Sequence, residues 1–200
     1  MGMTGLFGGA FDPPHNGHVA FVRDARRRFP FDRFVIVVAA NPGHKRVQLS
    51  PECRLELARL AFPDHEVVLD EHARTIDMLR ARSFSDPVFL IGADEFCDFP
   101  QWKDPDGVLE LTRLGVGTRP GYPPGRIESV LSTLKRPERV AFFDIEPVPV
   151  ASRDIRARAA AGEPLDELVP GPVADEIARL GLYRGGGYTG TSIGRRTGQH

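Results

Sequence analysis

The feature that most constrains this chain is a glycine-rich segment near its start, Gly8-Gly9-Ala10-Phe11-Asp12-Pro13-Pro14-His15-Asn16-Gly17-His18. It follows an apolar stretch (residues 3–7) and precedes an amphipathic one, so it predicts a strand, a tight turn and a helix. Glycines let a ligand approach the backbone, and the free N–H groups of a helix N-terminus attract anions. Histidines three residues apart lie close together on one helical turn. The segment therefore predicts a phosphate site, with a plain glycine turn carrying two surface histidines as the alternative.

Apolar runs alternate with helical patterns along the rest of the chain. Strands are predicted at residues 3–7, 34–40, 66–69, 88–91, 114–117 and 140–143. Helices are predicted at residues 18–29, 51–62, 75–81, 126–134 and 173–180. Several strands are nearly continuous apolar runs, as in parallel strands covered on both faces. The alternation predicts an α/β fold: a Rossmann-like, doubly wound parallel sheet with helices on both faces, in a single domain.

Local signals add boundaries to this prediction. Asn16 is a candidate cap for the first helix, and Ser50 for the second, with Pro51 in the first helical position. Residues 119–125 are interpreted as a loop. Residues 185–200 are rich in Gly, Thr and Arg and are predicted to form a disordered tail after a domain of residues 1–184.

Composition limits the class of protein. Of 200 residues, 41% are hydrophobic and 26% charged, and the net charge of −1 predicts no broad basic surface for nucleic acid. Cys53 and Cys97 lack the spacing of zinc ligands and are interpreted as reduced core thiols. The longest strongly apolar run, residues 34–40, is too short to cross a bilayer, and no basic-plus-apolar leader is visible. We therefore expect a cytoplasmic protein without a membrane partner.

The pattern Gly-Gly-x-Phe-Asp-Pro-x-His-x-Gly-His resembles the signature of nucleotidyltransferases of the adenylyltransferase superfamily. Within that group, segments between residues 4 and 184 resemble bacterial nicotinate-mononucleotide adenylyltransferases. The resemblance implies transfer of AMP from ATP to nicotinate mononucleotide, giving deamido-NAD and pyrophosphate in NAD biosynthesis. The partners would be ATP and a mononucleotide acceptor, and the oligomeric state stays open, with a homodimer as one option. Mg²⁺ would arrive with ATP, and no metal site made by the protein itself is expected.

The resemblance also assigns roles to residues. The predicted catalytic residues are His15, His18 and Lys45. The predicted ATP-binding residues are Gly8, Gly9, Ala10, Phe11, His15, His18, Gly92, Asp94, Ser152 and Arg156. The predicted acceptor-binding residues are Asn41, Lys45, Arg74, Thr75, Trp102 and Arg119.

Several of these assignments have structural alternatives. Asp94 would hold the adenosine ribose, because a carboxylate accepts the protons of both ribose hydroxyls. It could also be a helix cap. Trp102 would lie near the nicotinate ring or be a core or lid aromatic. Lys45 and Arg119 could be ordinary exposed side chains.

The chain departs from the family pattern in three places. Gly43 stands where the family often has a second proline. In residues 150–156, Ala151 and Arg153 replace two small hydroxyl residues, although Ser152 is kept as a predicted helix cap. Arg74 replaces a tyrosine before the helix at residues 75–81. An arginine there could bind a carboxylate bidentately, indicate a changed acceptor, or be an ordinary exposed residue.

These departures keep two alternatives open. The same adenylyl transfer could use another acceptor phosphate, such as nicotinamide mononucleotide or phosphopantetheine. The chain could also be a nucleotide-binding homologue without catalysis, as the altered residues 150–156 suggest. A hydride-transferring dehydrogenase is disfavoured because the first turn lacks Gly-x-Gly-x-x-Gly.

Overall fold

Strands and helices alternate in the computed structural model, which describes residues 2–43 and 45–185. The strands are β1 (Met3–Gly9), β2 (Phe31–Ala39), β3 (Glu66–Asp70), β4 (Pro87–Gly92), β5 (Arg113–Thr118) and β6 (Val140–Asp144). The α-helices are α1 (Asn16–Arg28), α2 (Pro51–Ala61), α3 (Thr75–Ala81), α4 (Ala93–Asp98), α5 (Pro105–Leu111), α6 (Pro124–Leu131), α7 (Ser152–Ala161) and α8 (Gly171–Leu180). Short 3₁₀ turns occupy Phe99–Gln101 and Pro137–Arg139.

The strands form one parallel sheet in the order β3-β2-β1-β4-β5-β6. The chain moves outward from β1 to β3 and then returns to β4 on the other side of β1. Leu6 in β1 lies opposite Val35 of β2 and Phe89 of β4, which marks the reversal in strand order. In open parallel sheets, this reversal leaves a crevice at the carboxyl ends of the two central strands. The glycine segment follows β1 into that crevice.

Side chains alternate between two hydrophobic cores, one on each face of the sheet. In β2, Ile36 and Val38 pack with α1, α2, α7 and α8, whereas Val35 and Val37 pack with α3 to α6. Burial on both faces explains the continuous apolar runs in the sequence. The predicted doubly wound parallel sheet is thus confirmed, and all six predicted strands are present.

The predictions for helices were less complete. Helices α4 and α5 were not predicted, because each spans only two turns and its apolar residues, such as Phe96 and Val108, are recognisable as core only once packed. The loop prediction for residues 119–125 was wrong at its end, since Pro124 and Gly125 begin α6. Proline suits that first position because its missing N–H would have no partner there.

Two cap predictions had different outcomes. Ser50 caps α2 by accepting the Cys53 N–H at 3.3 Å, as predicted. Asn16 does not cap α1: it is the first helical residue, and His15 occupies the cap position. The Asn16 side-chain amide instead donates to the Glu167 carbonyl at 3.0 Å, a tertiary contact that replaces the predicted cap.

The cysteine prediction was half correct. Cys53 is a buried free thiol, whereas Cys97 is also free but only partly buried. The predicted tail lies outside the described residues, apart from Gly185. No helix in the described part of the chain is long and apolar enough to span a membrane.

Candidate active site

The turn after β1 brings backbone close to the crevice. Phe11 has φ +50°, and its ring is buried against Phe7, His18 and Phe62. A Cβ on Gly9 would lie 2.9 Å from that ring, so glycine is required at this position. Since the Phe11 side chain belongs to the core, only its backbone is available for the predicted contact with ATP.

His15 and His18 form a stacked pair at the start of α1. Their ring centroids lie 3.6 Å apart with an interplanar angle of 19°. The His15 backbone N–H donates to His18 Nδ1 at 3.2 Å. Because Nδ1 accepts this bond, the proton of a neutral His18 ring must be on Nε2. A Cβ on Gly17 would lie 3.0 Å from His15 Nδ1, so glycine leaves room for the pair.

Both histidines are uncharged at neutral pH. Burial lowers the pKa of His15 from 6.5 to about 4. Burial also lowers the pKa of His18 well below its usual value, and the charge of Lys45 and the charge that His15 gains in acid lower it further. The pair therefore supplies hydrogen-bond donors to a phosphate and not a net positive charge.

The His15 pKa predicts a loss of stability in acid. Between pH 6.5 and about 4, the unfolded state binds the proton that the folded state excludes, so the free energy of unfolding falls as the pH is lowered through this window. At pH 5, the loss from His15 is about 2 kcal/mol relative to pH 7.5. Urea unfolding at the two pH values measures it. In the variant His15→Gln, the free energy of unfolding should change less between the two pH values. An equal change in the variant and the wild type would contradict the lowered pKa of His15.

A cavity of about 790 Å³ opens at the carboxyl ends of β1, β2 and β3. The predicted site residues that line it are Gly8, Gly9, Ala10, Asn41, Lys45, Arg74, Thr75 and Trp102. The cavity thus brings the glycine turn together with every predicted acceptor residue except Arg119. Arg119 is exposed after β5 and is not among the lining residues, so its contact with the acceptor stays a prediction.

Asp94 and Gly92 lie on the other side of the crevice, at the end of β4. Gly92 is the N-cap of α4, so Asp94 is not the cap that the alternative reading required. One Asp94 oxygen accepts the Tyr122 hydroxyl at 3.2 Å. Neither residue lines the cavity; Gly92 is half-buried and Asp94 is exposed, so their contact with ATP stays a prediction.

Helix α7 is attached directly to the glycine segment. Ser152 is its first residue and Ala151 is its cap, so the predicted Ser152 cap was wrong. The Ser152 hydroxyl instead donates to the Pro13 carbonyl at 3.0 Å, and Arg156 donates to the Asp12 carbonyl at 2.7 Å. These bonds hold the amino end of α7 beside the amino end of α1.

Asp12 is the first of the important residues that sequence reasoning missed. It is 2% exposed, and its carboxylate accepts the Tyr183 hydroxyl at 2.9 Å and the Gln48 N–H at 2.6 Å. Arg156 Nη1 lies 3.8 Å from the same carboxylate. A buried acid with partners on three segments fixes the position of the turn relative to the end of the chain.

The Asp12–Tyr183 bond should contribute measurably to stability. Replacing Tyr183 by phenylalanine removes one donor from a buried carboxylate, and we expect the free energy of unfolding to fall by about 1–3 kcal/mol. Tyr122→Phe removes a hydroxyl from a more exposed bond and is the matched control, with a smaller expected loss. Denaturant unfolding compares the two variants, and an equal loss would contradict the importance of burial.

Arg54 was also missed, because the sequence signals beside it, Ser50 and Pro51, indicate only where a helix begins. Its side chain is 0% exposed and points from α2 to the ends of β1 and β2. Nη1 donates to the carbonyls of Ala10 and Ala39 at 2.7 Å each, and Nη2 to that of Ala40 at 2.9 Å. Nε donates to Leu49 at 3.2 Å. Arg54 thus holds the backbone behind the cavity wall.

A third missed feature is a pair at the end of β3. Asp70 and His72 both line the cavity, and His72 Nδ1 lies 2.6 Å from Asp70 Oδ1. The sequence signal was available, namely an acid at a strand end followed two residues later by histidine. Asp70 orients the ring and leaves Nε2 free of that bond.

Arg74 differs from the other cations that line the cavity. Lys45 lies 3.8 Å from Glu95, and Lys103 lies 3.0 Å from Asp77. The Arg74 guanidinium donates only to the neighbouring Ala73 carbonyl at 3.0 Å, and it has no carboxylate partner among the described residues. The cavity therefore presents one unpaired guanidinium to an acidic ligand.

A parallel sheet with a crevice at its switch point, entered by a glycine turn beside two stacked histidines, is the architecture of an α/β nucleotide-binding protein. The chain belongs to the cytidylyltransferase-like family, whose model matches residues 6–158. A relative from Chlorobaculum parvum, named "probable nicotinate-nucleotide adenylyltransferase", is 34% identical over 90% of this chain and 98% of its own. One from Bordetella pertussis with the same name is 34% identical over 92% of this chain and 100% of its own.

Solved structures share the fold. The Plasmodium falciparum nicotinic acid mononucleotide adenylyltransferase complexed with NaAD superposes with a TM-score of 0.72 at 16% identity, covering 92% of this chain and 98% of that protein. Its complex with APC gives a TM-score of 0.71 at 14% identity, with the same coverage. The family prediction made from the glycine segment is confirmed.

Proposed function

We propose that this protein transfers the adenylyl group of ATP to nicotinate mononucleotide, releasing pyrophosphate and forming deamido-NAD. An oxygen of the acceptor 5′-phosphate attacks the α-phosphorus of ATP, and the bond from that phosphorus to the bridging oxygen of pyrophosphate breaks. The relatives named for this activity match nearly the whole chain, which supports the assignment. Catalysis of this kind depends on positioning and charge stabilisation more than on covalent chemistry.

The turn and the histidines serve the phosphates of ATP. The backbone of Gly9 and Ala10, which lines the cavity, approaches the phosphate chain. His18 donates from Nε2 to an oxygen whose charge grows in the transition state. His15 keeps the His18 ring in place by stacking and through its backbone N–H. Lys45, at the cavity rim, reaches phosphates of either substrate.

Other predicted ATP residues act from around the turn. Asp94 and Gly92 hold the adenosine ribose, and the amino end of α7, set by Ser152 and Arg156, faces the phosphates. Mg²⁺ arrives with the triphosphate and keeps most of its waters. The described residues contain no group of three or more His, Cys, Asp or Glu side chains that could hold a metal.

The observation that carries the choice of acceptor is the unpaired Arg74 in the cavity. A nicotinate ring bears a carboxylate that a guanidinium binds through two parallel hydrogen bonds, whereas nicotinamide bears a neutral amide. Thr75 and Trp102 line the same cavity, so the ring and its acid group have partners side by side. Arg119 completes the proposed acceptor set from the loop after β5. A cytoplasmic location remains our prediction.

The function is tested by measuring pyrophosphate release with MgATP and a panel of acceptors. We expect turnover with nicotinate mononucleotide and much weaker turnover with nicotinamide mononucleotide. Turnover only with phosphopantetheine or another phosphate would change the acceptor and keep the chemistry. ATP binding without turnover on any acceptor would contradict the enzyme assignment.

A further inference from the structure

Arg54 places a positive charge directly behind the glycine turn that follows β1. Its guanidinium is fully buried, and its hydrogen bonds all go to carbonyl oxygens, including that of Ala10 in the cavity lining. Among the described residues it forms no ion pair with a carboxylate. A buried charge without a contacting counter-ion is costly, so its presence beside an anion site calls for an explanation.

Nearby residues compensate the charge only in part. Asp12 is the carboxylate whose field acts most strongly on Arg54, but Arg156 lies 3.8 Å from that carboxylate as well. Burial raises the pKa of Tyr183 far above its ordinary value and that of Cys53 to about 11, so neither supplies a negative charge near neutral pH. Two guanidiniums therefore share one buried carboxylate. Glu52 also acts on Arg54, but it is exposed and screened by water, so the buried groups Arg54, Arg156 and Asp12 together carry a net charge of +1.

The histidines do not provide charge for the polyphosphate. Because His15 and His18 are neutral at pH 7, positive charge at the turn comes from the cluster behind it and from Lys45 at the rim. The Lys45 side chain is 48% exposed, so salt screens its effect, whereas a buried charge is screened much less.

We propose that Arg54 is an electrostatic and positioning residue for the polyphosphate of ATP. It draws the carbonyl oxygens of Ala10, Ala39 and Ala40 toward itself, so these oxygens do not oppose an anion in the cavity. Its charge is balanced when the phosphates bind. This inference rests on the proposed use of ATP and adds a residue that never touches the nucleotide.

Two substitutions separate charge from hydrogen bonding. Arg54→Gln removes the charge and keeps two N–H donors, whereas Arg54→Lys keeps the charge and loses the planar fork. Affinities for adenosine, AMP and ATP are measured by calorimetry on the full chain. In Arg54→Gln we expect ATP affinity to fall about tenfold or more, AMP affinity to fall less, and adenosine affinity to change less than about twofold. In Arg54→Lys, the ratio of ATP to adenosine affinity should stay near that of the wild type.

Salt provides the control. Lys45→Met should weaken ATP binding at low ionic strength and have little effect at high ionic strength, whereas the Arg54→Gln loss should persist at both. Equal losses for adenosine and ATP in Arg54→Gln would overturn the electrostatic role. If that variant does not fold, a lost preference for ATP over adenosine in Arg54→Lys overturns it. A wild-type protein that binds none of the three ligands overturns the proposed function itself.

Discussion

Replacing His18 by alanine is expected to lower kcat about 100-fold while leaving the fold intact. The ring donates from Nε2 because its Nδ1 accepts the His15 backbone N–H, and removing one preorganised donor to a developing oxyanion typically has an effect of this size. The KM for ATP should change much less, because the donor acts most strongly in the transition state. Steady-state pyrophosphate release, with circular dichroism as a check on folding, measures both.

The control for this variant is His65→Gln. His65 packs against Phe34 and Phe62 at the edge of the sheet, so its loss should leave kcat unchanged. The pH profile adds a second reading. Since the lowered pKa keeps His18 neutral, kcat should not fall as the pH rises above 6.5. A fall there, or an unchanged kcat in the alanine variant, would refute the role of His18 as a neutral donor.

Replacing Arg74 by glutamine is expected to raise the KM for nicotinate mononucleotide about tenfold. The change removes charged hydrogen bonds to the acceptor carboxylate, and the exposure of Arg74 keeps the effect at the lower end of the range for such bonds. The KM for ATP should be unaffected. Because nicotinamide has no carboxylate, its mononucleotide should be used no less well by the variant than by the wild type.

Lys103→Gln is the matched control for Arg74. Lys103 lines the same cavity but already pairs with Asp77, so its neutralisation should alter the KM values of the two acceptors similarly. If Arg74→Gln raised the KM values for nicotinate and nicotinamide mononucleotide by the same factor, the guanidinium would not bind the carboxylate specifically. The proposal of nicotinate mononucleotide as the acceptor would then lose its support.

Most of the fold could be predicted because its signals are local. Each strand is an apolar run covered on both faces, and Ser50 with Pro51 marks the start of α2 without reference to any distant residue. The glycine turn and its two histidines lie within eleven consecutive residues. Short helices such as α4 escaped prediction because two turns carry too little periodicity to stand out.

The electrostatic support of the site could not be predicted from local patterns. Tyr183 and Asp12 are 171 residues apart in the chain, and Arg54 and Ala10 are 44 apart, yet each pair shares a hydrogen bond. The same packing redirected Asn16 and Ser152 from their predicted caps to the carbonyls of Glu167 and Pro13. When a side chain has several possible hydrogen-bond partners, the tertiary structure determines which one it contacts. A local sequence pattern does not contain this information.

The resemblance to a known family supplied the residues predicted to serve adenylyl transfer. From the amino-acid order alone came the alternation of strands and helices and the prediction of a phosphate site at the glycine turn. These follow from periodicity and from backbone freedom at glycine, which act over a few residues. The three-dimensional packing decided that the histidines are neutral, that Arg74 has no carboxylate partner in the described part of the chain, and that a buried guanidinium lies behind the turn. Burial and charge balance arise from groups far apart in the chain, so only the folded protein determines them.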